Sequence, residues 1–361
     1  MIQESNGDPM NDSIPNSATT AENTSASVPV SESGAKEQVT EQTPERASNG
    51  RIIGVVLALT AVITLMLLSF LAPVMNSGPK DLPFAVAGPE AAVKPMLEGL
   101  GQKQPGAFDV TTYESPDAAK QAIQNREAIG GMAVEKDGLH VFTAAGAGTP
   151  YKQMLTQMAQ GMEKSGQHVT IEELAPTTAD DPNASGISVL AMPLAFGGMA
   201  SAAMLTFGLK GRRWGKIVGS LAFSTLAGFV VAAIMQFGFG NIDGNYFELA
   251  AVLGLGIAGT SMFVLGLESL LGAPGLGVGA LVTIFISNPL SGIGTGSQWL
   301  PSPWGHIGQF LPIGAAGNAV RSVAYFNGAG ITHSVIVLLA WMLVGCLFVA
   351  LSSARSRKRA K

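Results

Sequence analysis

The 361-residue sequence has one cysteine, Cys346, and four histidines. One thiol cannot close an intrachain disulfide, and this set offers no Cys/His cluster of the kind a structural zinc site requires. Disulfide scaffolds, zinc fingers and CxxC redox chemistry are thereby excluded. Charge is also scarce, at 13% of residues, about half the share in an ordinary soluble domain. Aromatics make up only 7%, so close packing must come from other side chains. What the chain has instead is 47% hydrophobic residues, 45 glycines and 15 methionines. That composition suits helices packed tightly in lipid, where small residues let backbones approach.

The little charge there is falls unevenly. Residues 1–50 hold eight acidic and two basic side chains among Ser, Thr, Asn, Gln and Pro. They have too little apolar surface to offset the entropy of ordering, and read as a disordered acidic tail. Arg51 then opens an uncharged run, Ile52–Met75, long enough at 1.5 Å per residue to cross a hydrocarbon core of roughly 30 Å. This first span, within 51–76, reads as an uncleaved anchor, because its acidic leader and its length do not suit a signal peptide.

Residues 77–185 carry eight basic and fourteen acidic side chains and no long apolar run, which marks a soluble insertion. Strands are expected at Phe84–Ala87, Phe108–Thr112, Met132–Glu135, Leu139–Phe142 and Val169–Glu173. A helix opens at Pro89, with Pro95 placed to break it. Ser115-Pro116-Asp117 supplies an N-cap, an N1 proline and a first-turn acid for another. Lys136-Asp137-Gly138 is a hairpin turn. Tyr151, Met154, Leu155, Met158 and Met162 share one stripe of a third helix, where methionine fills gaps in a core. The resulting order, βαβαββαβ, is a small α/β domain with a thioredoxin-like order but no catalytic cysteines, and residues 82–175 should fold alone.

From 186 to 352 apolar runs return at Ile187–Leu209, Lys216–Phe239, Phe247–Leu271, Leu276–Leu290 and Ile331–Leu351. The fourth spans only ~22 Å as a helix, so it must recruit flanking glycines or a protein-lined cavity. Arg51, the loop Lys210/Arg212/Arg213/Lys216 and the tail Arg355/Arg357/Lys358/Arg359/Lys361 hold ten basic residues, whereas 240–246 and 291–330 hold only Arg321. The positive-inside rule places both termini in the cytoplasm, which requires six crossings and puts the α/β domain outside. The expected architecture is therefore a six-helix polytopic membrane protein of the cell membrane with an inserted extracellular α/β domain. A five-helix bundle at 186–352 and a basic tail at 353–361 complete it.

Several residues stand out against this background. Glu268 lies in an otherwise uncharged stretch, and a carboxylate in lipid is costly enough to suggest transport or gating. Its place near the end of its run favours a structural cap over that role. Residues 291–330, with Trp299, Trp304, His306 and Arg321, read as a re-entrant or interfacial cap over the outer mouth. Arg321 has two candidate partners, a lipid phosphate or an acid such as Asp243. Gly254, Gly256, Gly259, Gly275, Gly277 and Gly279 read as close-packing faces. His306 alone makes no metal site. No HExxH, GxSxG or paired intramembrane carboxylates appear, and Gly211 to Ile217 lacks the spacing and the Ser/Thr of a phosphate-binding loop.

The long insertion after the first span, the basic Lys210–Lys216 loop, LGLESLLGAPGLGVGAL and WLPSPWGHIGQFLPIGA together resemble the membrane permease of a type 2 ABC transporter, of the YhgE/Pip-like branch. The likeness covers about residues 51–352. It implies a dimer, or a paired permease, that exports an amphipathic or envelope-related substrate. ATP would be used only through a separate cytoplasmic ATPase subunit, with no cofactor in this chain. It also implies that Lys210, Arg212, Arg213, Trp214 and Lys216 seat in that subunit. Membrane lipids are the other expected partner, and nothing points to nucleic acid. The competing class is a non-transporting envelope receptor or secretion accessory, for which five further crossings exceed what an anchor needs.

Overall fold

The computed structural model describes residues 49–209 and 211–359, with 356–359 described by their backbone alone. The acidic tail up to residue 48, Lys210 and the last two residues of the basic tail lie outside the described residues.

Helix α1, Asn49–Met75, is long, apolar and exposed along its length, with only Pro73 buried. The inserted domain follows in the expected order: β1 Leu82–Ala87, α2 Glu90–Lys103, β2 Phe108–Tyr113, α3 Pro116–Gln124, β3 Gly130–Glu135, β4 Gly138–Thr143, α4 Thr149–Lys164 and β5 Val169–Glu173. The sheet order is β2-β1-β3-β4-β5. Every adjacent pair is parallel except the β3–β4 hairpin. Alternation along the strands sends Leu82, Phe84, Val86, Met132 and Val141 to one face, where α2 and α4 cover them. Ala85, Ala87, Ala133 and Phe142 face the other side, under α3. The methionine stripe of α4 packs against the first of these cores.

Two expectations for this domain need correction. Helix α2 runs unbroken through Pro95. Pro95 and Ala91 are both exposed, so water can satisfy the carbonyl that the missing N–H leaves free. The domain's second core is also not self-contained. Phe326, from far along the chain, is buried in it, and Trp299 packs against the first core. Burying one phenylalanine is worth about 2–3 kcal/mol, which a fragment of 82–175 forgoes.

The rest of the chain is helical: α5 Ser185–Val189, α6 Ala191–Gly208, α7 Arg213–Ala233, α8 Tyr246–Leu271, α9 Ala273–Ala280, α10 Asn288–Leu290, α11 Trp304–Gly308, α12 Pro312–Tyr325 and α13 Ile331–Arg359. A π-helical stretch, Ile234–Gly238, extends α7, and another, Leu281–Ser287, joins α9 to α10. Among the described residues six helical stretches are long and apolar enough to cross a membrane: α1, α5–α6, α7 with its extension, α8, α9–α10 and α13. The fourth expected run gains its length from Ala273–Gly275, reaching 18 residues. Residues 353–359, expected to be a tail, continue α13 as helix.

Helix α8 is the centre of the bundle, packed by α6, α7, α9, α12 and α13. Small residues make this possible. A Cβ on Gly228 of α7 would come within 2.6 Å of the Gly254 nitrogen, and one on Gly266 within 2.6 Å of the Gly345 oxygen in α13. Of the expected glycine faces, Gly254, Gly256, Gly259, Gly275 and Gly279 meet neighbours, whereas Gly277 faces open space. Polar contacts reinforce the glycines: Ser261 of α8 hydrogen-bonds Ser201 of α6 and Ser220 of α7, each at 2.7 Å. The segment expected to cap one mouth is only partly a surface element, since α12 is buried against α8 and α13.

Candidate functional site

Two places in the fold concentrate polar chemistry, one at each end of the bundle. The first is the end that carries the α6–α7 loop. Arg212 and Trp214 are exposed there, Trp214 to 80%. Lys216 and Glu268, which the sequence places 52 positions apart, form an ion pair with Nζ 3.1 Å from Oε2, each side chain only 14% exposed. The pair brings two of the expected site residues together: Lys216 lies in the first turns of α7, and Glu268 has a cationic partner. The pair fastens the first turns of α7 to the last turns of α8. Beside it lies a groove of about 1020 Å³ lined by Arg212, Arg213, Trp214, Ile217 and, from α13, Cys346 and Ser353.

The second place is the seam between the inserted domain and the bundle. Helix α3 ends in a Schellman arrangement, with the Glu127 N–H donating to the Ala122 carbonyl and the Arg126 N–H to Ile123. Arg126 occupies the left-handed position at φ 67°, where glycine is usual. Its guanidinium crosses the seam to the Asn318 carbonyl at 3.2 Å, to the Asn318 side-chain oxygen and to the Ser322 hydroxyl. It also stacks 5.2 Å from the Phe326 ring.

Arg321, one residue before Ser322, crosses the other way. Nη1 donates to the Gly146 carbonyl at 2.6 Å and Nη2 to the Ile293 carbonyl at 2.8 Å. Arg321 is 4% exposed, and its hydrogen bonds go to carbonyls rather than to the expected acid Asp243. Glu173 fixes the turn that offers Gly146, accepting from the Ala145 N–H at 2.7 Å and the Ala175 N–H at 3.3 Å. Burial pushes the Tyr151 phenol well above its ordinary range. Among the described residues the Tyr325 hydroxyl is buried without a hydrogen-bond partner.

The remaining cap residues separate. Trp299 lies 5.6 Å from Tyr151, edge to face, and packs on the domain. Trp304 is 47% exposed. His306 is exposed and packs on Phe310, ring centres 5.2 Å apart. On the β3–β4 hairpin, Glu135, Asp137 and His140 bring one potential metal-binding atom each within 4.8 Å of the others. There the His140 hydrogen bond holds the Asp137 carboxyl below its ordinary value.

Sequence reasoning marked Glu268, Lys216 and Arg321 singly but missed Arg126, Asn318 and Ser322. The one available signal for Arg126 was an Asn-Arg pair at a helix end where glycine is expected. No family model matches the chain, and no curated protein or solved structure matches it.

Proposed function

We propose that this chain is the membrane permease subunit of an ABC exporter, resembling the type 2, YhgE/Pip-like branch, and that it moves an amphipathic or envelope-related substrate outward. In this reading the inserted domain is extracellular, both termini are cytoplasmic, and a separate ATPase subunit supplies the energy. The observation that carries it is the Lys216–Glu268 pair beneath an exposed, basic, tryptophan-bearing loop. A loop meant only to touch headgroups needs no rigid tie to the central helix. A loop that receives a push from a nucleotide-driven partner does, because displacement must pass from α7 to α8 without slack. The groove of about 1020 Å³ gives that partner a seat between the loop and α13.

The test is co-purification of the ATPase with wild type and with an Arg212→Glu/Arg213→Glu variant, together with substrate-stimulated ATP hydrolysis in liposomes. Arg51 and the basic tail retain the orientation bias, so the variant should insert normally. Loss of the ATPase and of stimulation is expected. Unchanged binding and stimulation would remove the coupling role and leave headgroup anchoring at about 1 kcal/mol per basic residue.

A further inference from the structure

The exporter reading makes no use of the seam arginines, and their electrostatics need an explanation of their own. Among the described residues no aspartate or glutamate lies within ion-pair distance of Arg126 or Arg321. The nearby acids are engaged elsewhere. Glu173 is bonded to Thr143, Ala145 and Lys152, and Asp181 accepts from the Ser185 and Gly186 N–H groups, each at 2.7 Å. Among the described residues, every hydrogen-bond acceptor of the two guanidiniums is a neutral oxygen. Such bonds relieve desolvation but leave two like charges close together in a poorly hydrated place. Burial and the neighbouring Arg321 pull Arg126 down to about 10.

Between the two side chains is a cavity of about 40 Å³, bordered by Arg126, Arg321, Asn318, Ser291, Gln298 and Gln309. A guanidinium has five N–H donors. The bonds made to protein use three on Arg126 and two on Arg321, leaving two and three available. The lining is rich in donors and poor in charged acceptors. A water needs only about 10–15 Å³ of such space, so the cavity has room for an ion-sized group.

We propose that this cavity between the inserted domain and the bundle binds a phosphate-type oxyanion, held by the guanidinium groups of Arg126 and Arg321. Planar guanidinium forks match oxyanion geometry, and a desolvated site with two of them favours such a group over a halide. The anion supplies the charge missing at the seam and so locks the inserted domain to α12. It is either free inorganic phosphate or the phosphate of an anionic lipid reaching in from the membrane. The proposal does not depend on the exporter reading.

The test uses the full-length protein in nanodiscs. With a neutral lipid such as phosphatidylcholine, radiolabelled inorganic phosphate should bind at one site per chain, with chloride failing to compete at equal ionic strength. Phosphate should also raise the melting temperature saturably. If phosphatidylglycerol nanodiscs suppress phosphate binding while keeping the raised melting temperature, the lipid phosphate is the occupant. If binding persists there, the free ion is. Arg126→Gln should weaken phosphate binding about ten- to a hundredfold, the loss expected for charge-assisted bonds. Arg126→Lys, which keeps the charge, should recover part of it. The wild-type measurement decides even if a variant fails to fold. No saturable phosphate binding in neutral lipid, or equal displacement by chloride, overturns the proposal.

Discussion

Helices α1 and α8 are nearly the same length, 27 and 26 residues, and both are apolar enough to cross a bilayer. Yet 89% of the most apolar window of α8 is buried in protein and none of that of α1. Apolarity therefore places a helix in lipid without saying whether lipid or protein surrounds it. The distinguishing feature is what interrupts the apolar run. The glycines of α1, Gly50 and Gly54, both lie near its start, and its Thr and Ser hydroxyls turn back on its own carbonyls. Helix α8 has four glycines, a Thr-Ser pair and a terminal glutamate, and its neighbours answer several of these with a serine, a glycine or a lysine. In a solvent as apolar as leucine, close approach and polar pairing are what select a protein neighbour.

The largest effect is expected where backbones touch. A Cβ at Gly345 would run into the Met262 carbonyl, so Gly345→Leu should cost about 3 kcal/mol or more and abolish monodisperse protein in detergent. Gly54→Leu should leave yield unchanged, since nothing lies within 4 Å of that Cβ position. Equal behaviour of the two would break the comparison.

Arg321→Met comes next. It strands the Gly146 and Ile293 carbonyls, and losing charge-assisted bonds should cost about 2 kcal/mol after relief of the buried charge, read as a lower melting temperature. An unchanged melting temperature would show that the seam is held by apolar packing alone. The Lys216–Glu268 pair should give a coupling of about 1 kcal/mol in a double-mutant cycle with Lys216→Met and Glu268→Gln. Simple additivity would show that the pair ties nothing together. If the loop transmits work, Glu268→Gln should also lower export by a normally assembled protein. Smallest is Leu65→Ala in α1, expected within about 0.5 kcal/mol of wild type. A larger loss, or a change in oligomeric mass, would show that a partner covers this helix.

Sequence patterns reached the elements far better than their connections. Hydrophobic run length located all six candidate spans, and period-two alternation with turn chemistry located all five strands, because both signals are local. Ser115-Pro116-Asp117 predicted the start of α3, where the Ser115 hydroxyl accepts from the Ala118 N–H at 3.2 Å. The seam was not legible for the opposite reason. Arg126 bonds Asn318 across 192 positions, and Arg321 bonds carbonyls, which every residue has. Only the folded backbone says which carbonyl is near. The continuity of α2 through Pro95 was missed because breaking depends on whether solvent reaches Ala91, a tertiary fact.

The separation between Arg126 and Asn318 also sets a timetable. At roughly 5–20 residues per second, synthesis reaches Asn318 about 10–40 s after Arg126 has been made. During that interval the alanine-rich face of the sheet waits for Phe326, and Arg126 has neither its hydrogen-bond partners nor its ring. The nascent domain must persist with one flank unfinished through the insertion of several later spans. Its early survival then rests on the core beneath α2 and α4, and a helper that shields the open flank would act in that window and have nothing to hold once α12 docks.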